Sequence, residues 1–545
     1  MIVLGVNGWG DGRGNGHDDP AAALVVDGRI VAFVEEERLN RIRHARSMMP
    51  TLAVAYVLRE AGITLDEVDV IACGWDLPRF HSIRGTSWDI DDTQFVRRVT
   101  GQEPRRIPHL RWVAHHDAHA ASVFLWSGLP SAAVLIADGR GEDASVSIYR
   151  ARGHQLELVR SWPFQHSPGL FYQSVGQHCG FGSHDAGKTM GLASYGHADS
   201  PLLMSWRDDD IITPIPPCDR AHLVHRSWDD LLAERYGPPV RVPLDADVAH
   251  LKPTVAANAQ ATLDDLMWSL ARYALDTTGE QGLCIAGGVG LNCVANGRLV
   301  DRGVPVQLMP APHDAGVALG AALLVSAQHG LPIEHAGGAD LGPDYSSGVI
   351  RECLASSGFD VVEIDDPAEV AAERLGRGQV LGWFQGRAEV GPRALGHRSI
   401  LASASTAGHH ERVNSVKRRE QWRPFAPALL AEESRYLFGR DIESPYMQLS
   451  FALTDHAIAE YPAIAHVDGT ARPQTVPPGA GAYADLLRRM REHEGHAVVL
   501  NTSFNGPGEP VVCTPQDAVR AFVTMPFDAL IIENFLLSKK GFGTC

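Results

Sequence analysis

The chain lacks several features that would place it in a particular class. No apolar run approaches the ~20 residues that a membrane-spanning helix needs. The N-terminus, Met-Ile-Val-Leu-Gly-Val-Asn-Gly, has no basic leader ahead of an apolar core. It reads as a strand of the fold itself, and the expected compartment is the cytoplasm. Cys73, Cys179, Cys218, Cys284, Cys293, Cys353, Cys513 and Cys545 form no C-x-x-C pair. A zinc ribbon and a thioredoxin-type site are therefore not indicated, and reduced structural thiols are expected. Positive charge is also short: 48 Lys and Arg stand against 65 Asp and Glu, for a net charge of −17. Such a surface repels polyanions, so neither nucleic acid nor a membrane is an expected partner.

What is present is an ordinary globular composition, 45% hydrophobic and 21% charged, over 545 residues. That length exceeds one hydrophobic core and predicts two or three domains. The 25 histidines are the better place to look for chemistry.

Residues 2–6 read as a buried strand, followed by a Gly-rich stretch over residues 8–16. Two apolar runs around Asp27-Gly28 then predict a hairpin. The order returns later: an apolar run over residues 132–137, a polar turn at Asp138-Gly139-Arg140-Gly141, and strand patterns over residues 144–149 and 156–159. Strand, glycine turn and hairpin, twice, imply an internal duplication. Two half-domains facing across a cleft hold nucleotides in actin-like ATPases, which is an analogy of fold. A helix is predicted over residues 255–278, and another from an acidic cap at Asp314. Gly, Asp, Pro and Ser accumulate over residues 337–348, and the main linker is placed there, dividing residues 1–340 from 350–545.

In His115-His116-Asp-Ala-His119, the outer histidines are four apart and share one face of a helix, where they can grip one metal ion. Packing or hydrogen bonding at a domain seam explains the pair equally well. Asp138, at the end of a predicted buried strand, and Asp314 add carboxylates. Two His and one or two Asp with open positions suit Fe(II) or another divalent ion; for Asp314, N-capping is the simpler reading. Glycine turns at Gly139 and Gly141, at Gly187-Lys188-Thr-Met190, and at Gly287-Gly288-Val-Gly290-Leu-Asn292 let backbone N–H groups approach phosphate or adenine. Lys188 offers a charge to phosphate. His17-Asp18 is a candidate dyad for deprotonating a hydroxyl, with a polar loop as the alternative.

After residue 380 the character changes. Arg387, Arg393, Lys417, Arg423 and Arg472 sit among Gly and Pro turns, and Asn501-Thr-Ser503-Phe-Asn505 follows. Guanidinium groups in turns, beside Trp422 and Phe425, look like a phosphate pocket. A solvated basic surface or a nucleic-acid patch is the alternative.

Together these motifs resemble the bacterial O-carbamoyltransferases of antibiotic and nodulation-factor biosynthesis. The resemblance covers nearly the whole chain. Its most specific strings are Gly-Arg387-Ala-Glu-Val-Gly-Pro-Arg393-Ala-Leu-Gly, Trp422-Arg-Pro-Phe-Ala-Pro, Arg472-Pro-Gln-Thr-Val and Asn501-Thr-Ser-Phe-Asn. It implies an α/β chain, with a duplicated actin-like N-terminal domain of the ASKHA type fused to a C-terminal α/β domain of the YrdC type. It implies a two-step reaction, in which the C-terminal domain makes carbamoyl-adenylate from carbamoyl phosphate and ATP with Mg²⁺. The intermediate passes internally to the N-terminal domain, where Fe(II) or another divalent transition metal on His115, His119, Asp138 and Asp314 assists transfer to a small hydroxyl acceptor. By the same resemblance, His17 lies near the acceptor hydroxyl, with Asp18 carried less firmly. Lys417, Arg423, Arg472 and Ser503 match positions expected to hold carbamoyl phosphate or ATP, with Asn501 in the same string. Gly139, Lys188, Gly287, Gly288 and Asn292 follow the nucleotide turns of the actin-like fold. Arg387 and Arg393 lie in matching motifs. A homodimer is the family expectation.

Two rival readings share part of this pattern. A tRNA threonylcarbamoyl-type modification enzyme has both domains, but the charge of −17 favours a small acceptor. An actin-like sugar kinase or scaffold leaves the C-terminal arginines without a purpose. The leading acceptor class is a sugar hydroxyl on an antibiotic such as an aminoglycoside or a glycosylated macrolide; the sequence does not specify which.

Overall fold

The structure, a computed structural model, describes residues 1–9, 18–200, 202–218, 220–241, 247–334 and 337–539. They form two compact units, Met1–Gly338 and Ala339–Cys545. Among the described residues, no helix is long and apolar enough to cross a membrane, and all seven cysteines are free thiols.

The first unit is built on two sheets of the same design. Strands β1 (Ile2–Asn7), β2 (Ala21–Val26), β3 (Arg29–Glu35), β4 (Val70–Cys73) and β5 (His109–Trp112) lie in the order β3-β2-β1-β4-β5. Strands β6 (Ser131–Ala137), β7 (Val146–Arg152) and β8 (Gln155–Trp162) are followed by a small ribbon, β9 (Ser205–Arg207) and β10 (Asp210–Ile212). With β11 (Leu283–Ala286) and β12 (Val306–Gln307), the second sheet runs β12-β11-β6-β7-β8. In each sheet the first three strands are an antiparallel meander. The first strand then pairs in parallel with a later one, and that with the last. The duplication expected of an actin-like fold is thus a repeat of strand order and direction. Central strands β1 and β6 are covered on both faces, which is why their sequences are nearly unbroken apolar runs. At the β2–β3 hairpin, Asp27 (φ 51°) and Gly28 (φ 85°) both take the left-handed conformation that a tight two-residue turn demands.

Each repeat closes with a helix that packs on the other repeat's sheet. Helix His115–Ser127 follows β5 and packs on β6 and β11, while helix Gly316–Gln328 follows β12 and packs on β1, β2 and β4. The two helices also pack on each other, at backbone distance. A Cβ at Gly320 would lie 1.9 Å from the Ala118 carbonyl oxygen, and one at Gly5 1.9 Å from that of Ala318.

The second unit carries β13 (Asp360–Glu363), β14 (Leu381–Phe384), β15 (Arg398–Ser403), β16 (Ala426–Leu430), β17 (Phe451–Ala452) and β18 (Thr470–Ala471). It is completed by β19 (Gln474–Val476), β20 (Val498–Ser503), β21 (Ala529–Ile532) and β22 (Phe535–Ser538). Eight of these form one mixed sheet, β13-β22-β21-β14-β15-β20-β16-β19, and β17 pairs with β18. Helices Pro367–Gly376 and Gly481–Glu494 cover it through Leu375, Leu486, Leu487 and Met490. Much of the stretch read as linker is bound to this unit. Gly342 donates its N–H to the Ala388 carbonyl at 2.9 Å, and Arg398 donates to the Pro343 carbonyl at 3.1 Å.

Two local expectations are corrected. Residues 187–191, read as a glycine turn, lie within a helix, Ala186–Ala193, so Gly187 and Lys188 sit in a first helical turn. The helix expected to start on an Asp314 cap begins at Gly316 instead, and the Asp314 side chain makes no cap hydrogen bond.

The close helix contact makes a direct prediction. Gly320→Ala forces the two helices apart and is expected to cost about 1–3 kcal/mol, despite the better helix propensity of alanine. Urea unfolding that finds the variant as stable as the parent would refute that approach.

Candidate metal centre and anion site

Four side chains from three places in the first unit meet at one point. His115 and His119 lie one turn apart on their helix, both fully buried. Their Nε2 atoms face each other at 3.1 Å. Asp138 follows β6, with Oδ2 3.4 Å from His115 Nε2. Asp314, just ahead of helix Gly316–Gln328, brings Oδ1 to 3.6 Å from His115 Nε2 and 3.7 Å from His119 Nε2. The donor atoms lie within 4.8 Å of one another, so the group can hold a metal ion. The seam-packing alternative for the histidines, and the capping alternative for Asp314, do not account for this convergence.

The surroundings orient the donors. His115 Nδ1 lies 3.2 Å from the Gly74 carbonyl, which makes that nitrogen a donor and turns Nε2 toward the cluster. Trp75 stacks on the ring at 3.9 Å. Glu142, from the β6–β7 connection, accepts the His115 backbone N–H at 3.0 Å and that of Asp76 at 2.9 Å, capping the helix with a carboxylate. Gly288 donates its N–H to Asp138 Oδ1 at 2.8 Å. Gly287 (φ 89°) must be glycine, since a Cβ there would lie 2.4 Å from the Ala137 carbonyl oxygen. Its N–H binds the Pro312 carbonyl at 2.8 Å, next to His313-Asp314. The Gly287-Gly288 turn expected at a nucleotide thus positions the two carboxylates. Ser167 donates to the carbonyls of Asp138 and Gly139, and a Cβ at Gly169 would lie 2.7 Å from the Gly139 nitrogen, so only glycine lets that helix start so close.

Electrostatics follow from burial and mutual contact. For His115, burial opposes the charged form, but Asp314 and Asp138 outweigh it and raise its pKa to about 10. Burial and the His115 charge hold His119 below its ordinary value, and push His116 down to about 3. Burial works against ionising Asp314 and Asp138, and contact with the histidines overcomes it, lowering both. One imidazolium against two carboxylates leaves one net buried negative charge, a fitting seat for a divalent cation.

The other candidates of this unit fall elsewhere. Asn292 caps the helix Cys293–Asp301 through the Ala295 N–H and pairs with Gln260. Lys188 lies 3.5 Å from Asp185. Asp18 pairs with Arg46 at 3.0 Å and has His184 at 3.7 Å, while His17 lies outside the described residues.

In the second unit, Lys417 ends the helix His409–Val416 and is buried. Its Nζ donates to the Ser503 carbonyl, to Ser503 Oγ at 3.2 Å and to Asn505 Oδ1 at 2.6 Å. Arg423 lies 3.5 Å from Glu420. The residue missed from sequence is Arg419, which stacks 4.2 Å over Phe425 and donates to Asn414 at 2.6 Å. Burial, Arg423 and Arg472 all press against its charge, and Glu420 only partly offsets them. An arginine does not give up its proton, so this group of guanidiniums keeps its charge and suits an anion. Arg387 instead donates to the carbonyls of Leu341 (2.8 Å) and Gly342 (3.0 Å). Asn501 donates to the Ala394 carbonyl at 3.1 Å. Both tie down the loop that carries the half-buried Arg393. Glu389 fastens the same loop by accepting the N–H groups of Leu395, His397 and Arg398.

Comparison with known proteins gives the same two-part division. A profile described as carbamoyltransferase N-terminus matches residues 14–98, 94–209 and 234–323, and one described as carbamoyltransferase C-terminus matches residues 372–539. Nodulation protein NolNO of Sinorhizobium fredii is 35% identical over 557 residues, taking in 96% of this chain and 79% of that protein. The 3′-hydroxymethylcephem-O-carbamoyltransferase of Streptomyces clavuligerus is 28% identical over 547 residues, 93% of this chain and 94% of that protein. Among solved structures, full-length HypF in its phosphate- and nucleotide-bound form covers 60% of this chain and 55% of that chain, with 14% identity and a TM-score of 0.36.

Because a cation must displace the His115 proton, Mn(II) is expected to bind with release of about one proton near neutral pH and to tighten as pH rises. Calorimetry in two buffers of different ionisation enthalpy measures this. Binding without proton release would remove His115 from the ligand set.

Proposed function

The chain belongs to the carbamoyltransferase family, and from that premise we propose that it is an ATP-dependent O-carbamoyltransferase working in two steps on two sites. Unit Ala339–Cys545 takes carbamoyl phosphate and ATP, and with uptake of water releases phosphate and pyrophosphate and forms carbamoyl-adenylate. Unit Met1–Gly338 passes the carbamoyl group to a hydroxyl of a small acceptor, releasing AMP. A sugar hydroxyl of a secondary metabolite is the leading acceptor class.

The observation that carries this reading is the opposite charge of the two sites. The first unit buries a net negative cluster of metal donors, and the second gathers Arg419, Arg423 and Arg472 about one place. A sugar kinase has no use for the second site. In an adenylate-forming step, by contrast, two anionic reactants meet, and fixed positive charge offsets their repulsion as charge builds on the reacting phosphate. Lys417, held by Ser503 and Asn505, presents a point charge at the end of β20, and Arg423 a planar fork suited to phosphate oxygens. Mg²⁺ accompanies ATP there.

In the first unit His115, His119, Asp138 and Asp314 are the residues that would hold Fe(II) or another divalent transition metal, which when bound supplies Lewis-acid polarisation of the carbamoyl carbonyl. The protein's own part is to keep Nε2 of His115 and His119 turned toward one point and to hold Asp138 by the Gly288 N–H.

Pyrophosphate release is expected from purified protein only when ATP and carbamoyl phosphate are both present, without any acceptor. Arg423→Ala is expected to lower that release by about 100-fold or more. His119→Ala is expected to leave it intact and to stop transfer. Release that needs no carbamoyl phosphate, or that is lost in His119→Ala, contradicts the division of labour.

A further inference from the structure

Beside the metal cluster lies a second group of titratable side chains that the steps above do not use. Asp19, at the entry to β2, faces His44, in the short turn Arg43–Ala45 after helix Glu36–Asn40, with Oδ1 2.8 Å from Nδ1. The contact fixes the ring: Nδ1 carries the proton toward the carboxylate, and Nε2 presents its lone pair. His44 Nε2 is buried and has no hydrogen-bond partner among the described residues. His184 stacks on the ring at 4.4 Å. Asp19 Oδ2 lies 4.0 Å from Nε2 of His313, the neighbour of Asp314, so this pair adjoins the metal cluster.

The backbone is arranged for the contact. Asp19 (φ 52°) and His44 (φ 61°) both take the left-handed conformation, uncommon for residues other than glycine. Asn7 holds Asp19 by donating to its carbonyl at 2.9 Å, and Glu37 accepts the His44 backbone N–H at 2.6 Å. Burial opposes charge on both side chains, yet their hydrogen bond outweighs it, raising His44 and lowering Asp19. Asp19, Glu37 and His44 could also be read as ligands of a second ion. Both carboxylates, however, already serve His44, its backbone N–H or Arg38, which lies 3.5 Å from Glu37, so no cation is needed to satisfy them.

We infer that His44, oriented by Asp19, accepts the proton of the acceptor hydroxyl during carbamoyl transfer, an assignment that rests on the two-step reading above. The acceptor oxygen bonds to the carbamoyl carbon, and the bond from that carbon to the AMP oxygen breaks. AMP leaves with the electron pair, and the hydroxyl proton moves to His44 Nε2 and on to solvent. The sequence offered His17 for this proton, which lies outside the described residues; His44 is a described histidine that has an orienting carboxylate at 2.8 Å and an unpartnered, buried Nε2 next to the His313-Asp314 segment.

The test needs no knowledge of the natural acceptor. The full-length Fe(II)-loaded protein is given ATP and carbamoyl phosphate, with either glycerol or hydroxylamine in excess. Glycerol must lose a proton as it attacks, whereas hydroxylamine is already a strong neutral nucleophile. His44→Gln is expected to keep hydroxyurea formation at the parent rate while glyceryl carbamate falls about 100-fold or more. Asp19→Asn is expected to show the same split with a smaller fall. Equal glyceryl carbamate rates in parent and His44→Gln, zero included, overturn the assignment. So does loss of both products in both variants, which would make the pair structural. Failure of the parent to release pyrophosphate would instead sink the two-step reading before His44 is tested.

Discussion

Two helices that touch through glycine and alanine determine where the chemistry of the first unit can sit. Helix His115–Ser127 carries the two imidazoles, and helix Gly316–Gln328 follows directly on Asp314. Their contact at Gly320 and Ala118 leaves no room for a side chain. Gly74 is similarly pressed by Val317, since a Cβ there would lie 2.7 Å from a Val317 methyl, and the Gly74 carbonyl meets His115 Nδ1. Each helix comes from one repeat and packs on the sheet of the other, so the duplication brings ligands remote in sequence to one point. A bulkier residue at the contact would separate the carboxylate from the imidazoles before it disturbed either sheet.

Charge then gives each unit a different task. In the first, desolvation would neutralise lone carboxylates, but contact with His115 keeps Asp314 and Asp138 ionised, so the cluster stays negative in a buried place. In the second, Arg419 is held by Asn414 and Phe425 against the repulsion of Arg423 and Arg472. Such a gathering of like charge is costly without an anion. The same physics therefore leaves a negative cluster able to hold a cation in one unit and a positive cluster suited to an anion in the other.

Much of this was legible in sequence. The Asp27-Gly28 hairpin, the two strand-and-turn repeats and the His115/His119 spacing rest on local rules of periodicity and turn chemistry, and the structure follows them. Less local matters were not legible. Asp314 admits two readings in sequence, a helix cap and a metal donor, and only folding shows that its side chain meets residues about 200 positions earlier in the chain. Gly287-Gly288 looked like a phosphate turn, and its shape is right for one, but its N–H groups serve Asp138 and Pro312. Arg387 and Asn501 sit in highly specific strings, yet their donors go to backbone carbonyls. Glu142, Arg419 and the Asp19–His44 pair carried no signal, because each acquires meaning only from a partner that folding brings near.

The most direct test of the account's central claim, that the His115 helix, the end of β6 and the start of helix Gly316–Gln328 together build a cation site, is X-ray absorption spectroscopy. The protein would be loaded with one equivalent of Fe(II) and freed of excess by gel filtration. The account predicts retained iron with two imidazole nitrogens and carboxylate oxygens as its nearest neighbours, and a single imidazole in His119→Ala. Iron lost on filtration, or retained without any imidazole neighbour, would contradict it.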